Sequence, residues 1–220
     1  MIKYIIFDFD GVIVDSEVLA ARAFAEVLSK MNINEYTSEI IASKYAGNKT
    51  IKVAEEICKV HNIENPIIIY NQVMNSVSGL FDNHLKAVEE IKVFLDSNNL
   101  DFFIGSNSGK QRIIRGLKTV GLSSYFKEEN IYTFEMVENA KPSPDIYLKI
   151  IENNNLDKKE VVVLEDSVPG VRSAISAGLK VIGVTAASHW KNRSAETLTK
   201  EGSTIILKSY LELDKLLKLI

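Results

Sequence analysis

The chain has 220 residues, of which 46% are hydrophobic and 25% charged, and its formal net charge is −3. These values are typical of a folded globular protein with a substantial core, and they exclude a disordered chain. Because the charge is slightly acidic and the lysines are scattered, we expect no nucleic-acid partner. No stretch approaches the ~20 consecutive apolar residues of a membrane span, so we expect no membrane partner either.

Cys58 is the only cysteine. An intrachain disulfide is therefore excluded, and this composition is more typical of a protein in a reducing compartment than of a secreted one. We expect a cytoplasmic protein in which Cys58 is a small buried side chain on a helix. Nothing in the sequence indicates an obligate interface, so a monomer is expected.

The first part of the chain predicts one strand followed only by helices. The apolar run from Lys3 to Phe7 predicts a buried strand, and apolar residues spaced three and four apart predict a helix from Ser16 to Met31. Three further helices are predicted at residues 37–45, 50–61 and 66–80. The last of them opens with Pro66 at a first-turn position and closes near Gly79. Residues 16–82 therefore form a predicted all-helical segment.

The second part alternates strands with helices. After a helix at about 84–98, five short runs rich in β-branched or aromatic residues predict strands: DFFIGS, NIYTF, VVVLE, KVIGV and STIIL. Helices are predicted between and after them at 109–120, 143–154, 169–177, 190–200 and 209–219. This alternation predicts an α/β fold, a Rossmann-like, doubly wound parallel sheet that the first strand joins. We expect a core domain of residues 1–15 and 83–220, interrupted by a helical cap domain of residues 16–82.

Polar side chains stand at the carboxyl ends of these strands, where ligands bind in an open parallel sheet. The first strand is followed by Asp8 and Asp10, which leave the same face of an extended backbone. The other candidates are Ser106 and Asn107 after DFFIGS, Lys141 in AKPSPDIY, and Glu165 and Asp166 at the end of VVVLEDS. We therefore expect the fold to bring these side chains together in one crevice at the carboxyl ends of the strands.

Four acidic side chains at one crevice repel one another unless a cation is bound. Mg²⁺ prefers carboxylate, carbonyl and water oxygens and usually keeps room for a substrate phosphate. The candidate metal ligands are Asp8, Asp10, Glu165 and Asp166. The histidines show no ligand spacing that would favour zinc, and solvated or capping roles are expected for His61, His84 and His189.

A metal ion and the cationic Lys141 favour an anionic ligand, and the serines and backbone amides of residues 106–108, which open a helix, suit a phosphate group. The pattern therefore predicts phosphoryl transfer. One aspartate can attack phosphorus, while a carboxylate two residues on protonates the leaving alkoxide and later takes a proton from water. Asp15 and Ser16 are expected to cap the first helix of the cap domain rather than to take part.

Four segments, DFDGVIVDS, GSNS, AKPSPDIY and LEDS, resemble in order and separation the four motifs of the haloacid dehalogenase-like hydrolase superfamily. The resemblance covers residues 4–184, and the helical insert is similar to the small cap of that superfamily. It implies roles for six residues: Asp8 as nucleophile, Asp10 as general acid/base whose carbonyl also reaches Mg²⁺, Asp166 as a further metal ligand, Glu165 as a ligand or supporting carboxylate, Ser106 as a donor to the phosphoryl group, and Lys141 as the cation that ties this group to Asp8.

The pattern is most similar to the β-phosphoglucomutase-like branch, which contains mutases and phosphatases of small sugar phosphates. In the mutase, a histidine of the first cap helix serves the sugar hydroxyl; Ala20 stands at that position here, which argues against a mutase. Lys49 in the cap loop AGNKT and Arg22 are candidate substrate-binding cations, with solvated surface side chains as the alternative. Asn107 is a further substrate-binding candidate, although orientation of its loop is the better interpretation.

The resemblance thus implies a Mg²⁺-dependent phosphatase that hydrolyses a small phosphorylated metabolite, a sugar phosphate or sugar-acid phosphate, through an aspartyl-phosphate. The alternative is a phosphomutase of the β-phosphoglucomutase type, which would need a bisphosphate primer. Dehalogenation fits less well, because dehalogenases of this superfamily lack the acid found here at Asp10. Fold alone does not exclude a non-catalytic phosphate sensor, but the intact Asp8 and Lys141 argue against one.

Overall fold

The computed structural model describes residues 1–45, 50–191 and 193–220. Within these ranges the chain forms two compact units, one of Met1–Asp15 with Lys86–Ile220 and the other of Ser16–Leu85. The first unit contains the β-sheet, and the regular elements of the second, apart from residues 46–49, are all helices. No helix in the described ranges is both long and apolar enough to cross a membrane.

A six-stranded parallel sheet forms the centre of the first unit. Its strands are β1 (Tyr4–Phe7), β2 (Asp101–Ser106), β3 (Ile131–Thr133), β4 (Val161–Glu165), β5 (Lys180–Val184) and β6 (Ile205–Leu207). Their order is β3-β2-β1-β4-β5-β6, so the chain adds strands first on one side of β1 and then on the other. Ligands bind at such a switch point in open α/β sheets, beyond the carboxyl ends of the strands. The predicted doubly wound parallel sheet is confirmed.

Helices cover both faces of this sheet. They are α5 (Ile91–Ser97), α6 (Lys110–Thr119), α7 (Asp145–Asn153), α8 (Val168–Ser176), α9 (Glu196–Thr199) and α10 (Leu213–Leu217). On one face, Ile6 and Val163 belong to a buried cluster with side chains of α7 and α8. On the other, Phe7 packs edge-on against Phe102 and Phe126, with ring centroids 5.6 and 5.7 Å apart. Alternate residues of β1 thus point to opposite faces, which explains why this strand is an unbroken apolar run.

The described residues of the second unit form four helices: α1 (Glu17–Lys30), α2 (Ser38–Tyr45), α3 (Thr50–His61) and α4 (Pro66–His84). Helix α1 packs against α2 and α4, and α3 packs against α4. Buried side chains of α1 recur at three- and four-residue spacing, including Phe24, Val27 and Leu28. Helix α4 begins with Pro66 in its first turn, where Asn65 caps it by accepting from the N–H of Ile67 at 3.0 Å.

Some element boundaries differ from those predicted. The helix expected to close near Gly79 continues to His84, because burial of Leu80 and Phe81 favours the additional helical turn. The helix expected from residue 84 begins only at Ile91, because residues 86–88 pair instead with residues 13–15. The predicted helices at 190–200 and 209–219 are also wrong in extent: each is a single 3-10 turn, Ser188–Trp190 or Tyr210–Glu212, with a short α-helix after it.

Candidate active site

The turn after β1 places Asp8 at the carboxyl end of the sheet. The backbone N–H of Asp8 donates to the carbonyl of Leu164 on β4 at 2.9 Å, and the N–H of Gly11 then donates to the carbonyl of Val14 at 2.8 Å. Gly11 has φ = +79°, and a Cβ at this position would lie 1.9 Å from Oδ2 of Asp166. Only glycine therefore allows the turn to approach the end of β4 this closely.

Three carboxylates and one lysine meet at the ends of β1 and β4. Asp8, Glu165 and Asp166 each offer an oxygen atom, and these atoms lie within 4.8 Å of one another. The Nζ atom of buried Lys141 lies 2.8 Å from Oδ1 of Asp8 and 2.5 Å from Oε1 of Glu165. Fully ionised, this group carries three negative charges and one positive charge. One divalent cation balances the excess, and carboxylate oxygens are the ligands that hard divalent cations prefer.

Glu165 is fully buried and its carboxylate is surrounded by donors. Oε1 accepts from Lys141 and from the hydroxyl of Tyr147 at 2.8 Å, while Oε2 accepts from the hydroxyl and N–H of Ser167 at 3.0 and 3.3 Å. A Cβ at Gly170 would lie 1.9 Å from this carboxylate. Because a carboxylate has about four acceptor sites, these four donors occupy the Glu165 carboxylate and fix its position beside Lys141.

Burial and neighbouring charges shift the pKa values within this group. Burial, reinforced by Glu165 and Asp166 and opposed by Lys141, raises the pKa of Asp8 to about 8. Burial alone would lower the pKa of Lys141, but Asp8 and Glu165 outweigh this effect and raise it. Lys141 therefore stays protonated near neutral pH, while Asp8 retains a proton unless another positive charge is supplied. The electrostatics, like the donor set, fit a divalent metal.

In metal-free protein, the free energy of unfolding will fall as the pH rises from 6 to 8. The pKa of Asp8 is about 8 in the folded state against an ordinary value of 3.8. Between these values the folded state holds a proton that the unfolded state has released, so rising pH favours unfolding. One such proton contributes a slope of at most about 1.4 kcal/mol per pH unit. Urea titrations with a chelator present will measure it.

The variant Asp8→Asn provides the control for this pH dependence. It keeps the shape of the side chain but cannot release the proton, so the part of the slope due to Asp8 will be lost. Titrating groups remote from Asp8 contribute equally to both proteins and cancel in the difference. Equal slopes in the variant and the wild type would contradict the assignment to Asp8.

The carboxylate of Asp10 is held at the start of α6. The hydroxyl of Ser108 donates to Oδ2 of Asp10 at 2.5 Å, and Nη1 of Arg112 lies 2.8 and 3.0 Å from its two oxygens. Arg112 was not among the residues predicted from the sequence. The available signal was its position four residues after Ser108, which brings the two side chains to the same end of this helix.

Ser106 ends β2 and Asn107 follows it, and the two side chains have different partners. Ser106 is buried, and its hydroxyl accepts from the N–H of Ser108 at 3.2 Å. The side chain of Asn107 accepts from the backbone N–H of Lys141 at 2.9 Å and donates to the carbonyl of Lys141 at 3.1 Å. These bonds favour an orienting role for Asn107 over direct contact with a substrate.

Arg22 and Lys49 are the candidate substrate-binding residues of the helical unit. The Nε atom of Arg22 lies 2.9 Å from Oε1 of Glu26, one turn further along α1. Ala20 lines a small, largely apolar cavity of about 30 Å³ between α1, α2 and α3. Lys49 lies outside the described residues.

Two sequence expectations for residues near the carboxylates are wrong. His189 is neither solvated nor a helix cap, because its side chain is buried and its Nε2 lies 3.1 Å from Oδ2 of Asp166. Asp15 does not cap α1; its Oδ2 accepts from the N–H and hydroxyl of Ser188 at 3.2 and 2.5 Å. Ser16 stands at the N-cap position, but its side chain makes no capping hydrogen bond. The segment after β5 thus contacts both Asp166 and Asp15, and the local sequence does not predict these contacts.

Comparison with known proteins identifies relatives along nearly the whole chain. The 6-phosphogluconate phosphatase of Escherichia coli (strain K12) is 24% identical over 191 residues, which cover 86% of each protein. The phosphorylated carbohydrates phosphatase of Thermotoga maritima is 30% identical over 213 residues, which cover 93% of each protein. Among solved structures, a haloacid dehalogenase family hydrolase from Deinococcus radiodurans with bound phosphate and sodium has a TM-score of 0.85 at 26% identity. This match covers 99% of the present chain and 96% of that chain.

The family model for haloacid dehalogenase-like hydrolases matches residues 5–184. This match includes Asp8, Lys141, Glu165 and Asp166, and it spans well over half of the chain. The chain therefore belongs to the haloacid dehalogenase-like hydrolase family and is one of its phosphatases.

Proposed function

We propose that the protein is a Mg²⁺-dependent phosphatase that hydrolyses a small phosphorylated metabolite, a sugar phosphate or sugar-acid phosphate, through an aspartyl-phosphate. The observation that carries this proposal is the buried contact of Lys141 with Asp8, in a group that also contains Asp166. Such a group combines a nucleophile, a cation for the phosphoryl oxygens and an excess of negative charge that a metal ion would balance.

Mg²⁺ would be held by Asp8 and Asp166, with the backbone carbonyl of Asp10 as a further ligand. The four donors to Glu165 make this residue a poorer ligand and favour a role in positioning Lys141. When bound, Mg²⁺ supplies positive charge that stabilises the negative oxygens of the transferring phosphoryl group. Beside this positive charge the pKa of Asp8 would be lower, and its carboxylate would be ionised for attack.

The reaction would proceed in two displacements at phosphorus. A carboxylate oxygen of Asp8 forms a bond to phosphorus as the ester oxygen leaves, and Asp10 gives this alkoxide its proton. Water then attacks the phosphorus of the aspartyl-phosphate, Asp10 takes the proton back, and inorganic phosphate leaves with Asp8 regenerated. Lys141 and the hydroxyl of Ser106 would donate to the phosphoryl oxygens throughout. Before substrate binds, Ser108 and Arg112 hold the Asp10 carboxylate.

The substrate class is inferred from the relatives and from the helical unit. Two relatives are named as phosphatases of 6-phosphogluconate and of phosphorylated carbohydrates. Ala20 cannot exchange protons with a sugar hydroxyl, which favours hydrolysis over a phosphomutase reaction. We also propose Lys49 and Arg22 as contacts for the distal part of the substrate; Arg22 would have to exchange its pairing with Glu26. A cytoplasmic monomer is part of the same proposal and agrees with the single cysteine.

Phosphate release from a panel of phosphorylated metabolites will test the proposed function. The panel contains sugar phosphates, sugar-acid phosphates and pyrophosphate, each assayed with Mg²⁺ and with a chelator. We expect release from at least one sugar phosphate or sugar-acid phosphate, and a loss of about 100-fold or more with the chelator, since a metal ion contributes several kcal/mol to transition-state stabilisation.

The same panel distinguishes a phosphatase from a phosphomutase. With a hexose 1-phosphate and a catalytic amount of the bisphosphate, a mutase would form hexose 6-phosphate and release no net phosphate. That result would contradict the phosphatase assignment. Undiminished release in the presence of the chelator would contradict metal dependence.

A further inference from the structure

The 3-10 turn Ser188–Trp190 lies directly against the proposed metal site. We propose that His189 is a positioning residue that holds the carboxylate of Asp166 for metal binding, and that Ser188 and Trp190 anchor His189 in place. This inference rests on the proposed Mg²⁺-dependent function and adds a residue that the four motifs do not contain.

The contact between His189 and Asp166 is close and shielded from water. Nε2 of His189 lies 3.1 Å from Oδ2 of Asp166, and the two side chains are 4% and 9% exposed. A Cβ at Gly11 would lie 1.9 Å from Oδ2 of Asp166 and 3.1 Å from Cε1 of His189. The Asp166 carboxylate is thus confined between the turn after β1 and the imidazole ring. Nε2 can donate to Oδ2 and so fix the orientation of this carboxylate.

Both neighbours of His189 fasten the turn to the rest of the unit. The N–H and hydroxyl of Ser188 donate to Oδ2 of Asp15 at 3.2 and 2.5 Å. The backbone N–H of Asp15 in turn donates to the carbonyl of Lys86 at 2.9 Å. On the other side, Trp190 is buried in the core cluster that also contains Ile6 and Val163, and its ring centroid lies 5.6 Å from that of His189. The imidazole is therefore held from both sides.

This arrangement has a specific energetic consequence for metal binding. A carboxylate that is held by a neighbouring side chain loses less rotational freedom when a metal ion binds, and outer contacts of this kind change metal affinity by about 10- to 100-fold. His189 touches neither the reacting phosphorus nor Lys141 in this scheme. Its removal should therefore weaken Mg²⁺ binding much more than it slows the reaction at saturating Mg²⁺.

Calorimetric titration of Mg²⁺ into the protein without substrate will test this inference. We expect the Kd for Mg²⁺ to rise by about 10- to 100-fold in His189→Ala. His189→Gln should recover most of the affinity, because its amide nitrogen can reach the position of Nε2 and donate to Asp166. His84→Ala is the matched control: His84 is exposed in the last turn of α4, and its removal should leave the Kd unchanged. The kcat at saturating Mg²⁺ should stay within a few-fold of the wild-type value.

An unchanged Kd in His189→Ala would overturn the inference, as would an equal loss of affinity in His189→Ala and His189→Gln. If His189→Ala does not fold, His189→Gln and His84→Ala are compared with the wild type alone. In that case, a Kd of His189→Gln more than 10-fold above the wild-type Kd would overturn the inference. If the wild type binds Mg²⁺ and releases phosphate but the variants give one of these results, this inference fails and the proposed function stands. Wild-type protein that binds no Mg²⁺ would overturn both.

Discussion

Asp8→Asn will lower the rate of phosphate release by about 10⁴-fold or more, because an amide cannot form the proposed aspartyl-phosphate. Loss of a nucleophile removes nearly all covalent catalysis and leaves only what binding and electrostatics contribute. Asparagine keeps the size of the side chain, and it also removes one of the three negative charges of the group formed by Asp8, Glu165 and Asp166. The variant should therefore fold, and its metal-free form should be at least as stable as the wild type at pH 8. Phosphate release under saturating Mg²⁺ and substrate will measure the loss.

Asp101→Asn is the matched control for this variant. Asp101 is exposed and begins β2, at the end of the sheet opposite to the carboxylate group. Its substitution should change the rate by less than about two-fold, since surface substitutions away from a site have small effects. Activity of Asp8→Asn within ten-fold of wild type would show that another group attacks phosphorus. Rapid mixing experiments that trap phosphorylated protein in the wild type but not in Asp8→Asn would support the covalent step directly.

The sheet and the residues at its carboxyl ends could be predicted from sequence for a physical reason. A strand buried on both faces needs an uninterrupted apolar run. A polar residue directly after such a run therefore lies at the carboxyl end of the strand. VVVLE followed by Asp166 meets this description, as does YIIF followed by Asp8. The order of the strands then brings these ends together, although the residues are far apart in the chain.

The residues that support the site were not predictable in the same way. Tyr147, Arg112 and His189 contact the carboxylates from a helix interior, a helix face and a 3-10 turn. An aromatic or cationic residue at such positions has the same local pattern whether it lies in a core, on a surface or beside a metal site. What distinguishes them is their partner, and each partner lies at least 18 residues away in the sequence. Local periodicity carries no information about such contacts.

The second large effect is expected for Lys141→Met, which removes the buried cation that contacts Asp8 and Glu165. Lys141 is 3% exposed and pairs with Asp8 and Glu165, so its removal strands buried negative charge. Removing one partner of a buried ion pair costs about 3–5 kcal/mol. At pH 7, with a chelator present, urea unfolding should show a loss near the lower end of this range, because the carboxylates can take up a proton. Phosphate release at saturating Mg²⁺ should fall by about 10³-fold, as expected for loss of a charged donor to the phosphoryl group.

Lys3→Met and the response to Mg²⁺ make this prediction specific. Lys3 also pairs with a carboxylate, Glu160 at 2.6 Å, but the two side chains are 60% and 28% exposed, so its loss should lower the free energy of unfolding far less than the loss of Lys141. Without Lys141, the net charge of the group is more negative by one unit and attracts the metal more strongly. Mg²⁺ should therefore raise the free energy of unfolding more in Lys141→Met than in the wild type. Equal Mg²⁺ stabilisation of the two proteins would mean that Lys141 and the metal do not share the same carboxylates, and the proposed charge balance would then be wrong.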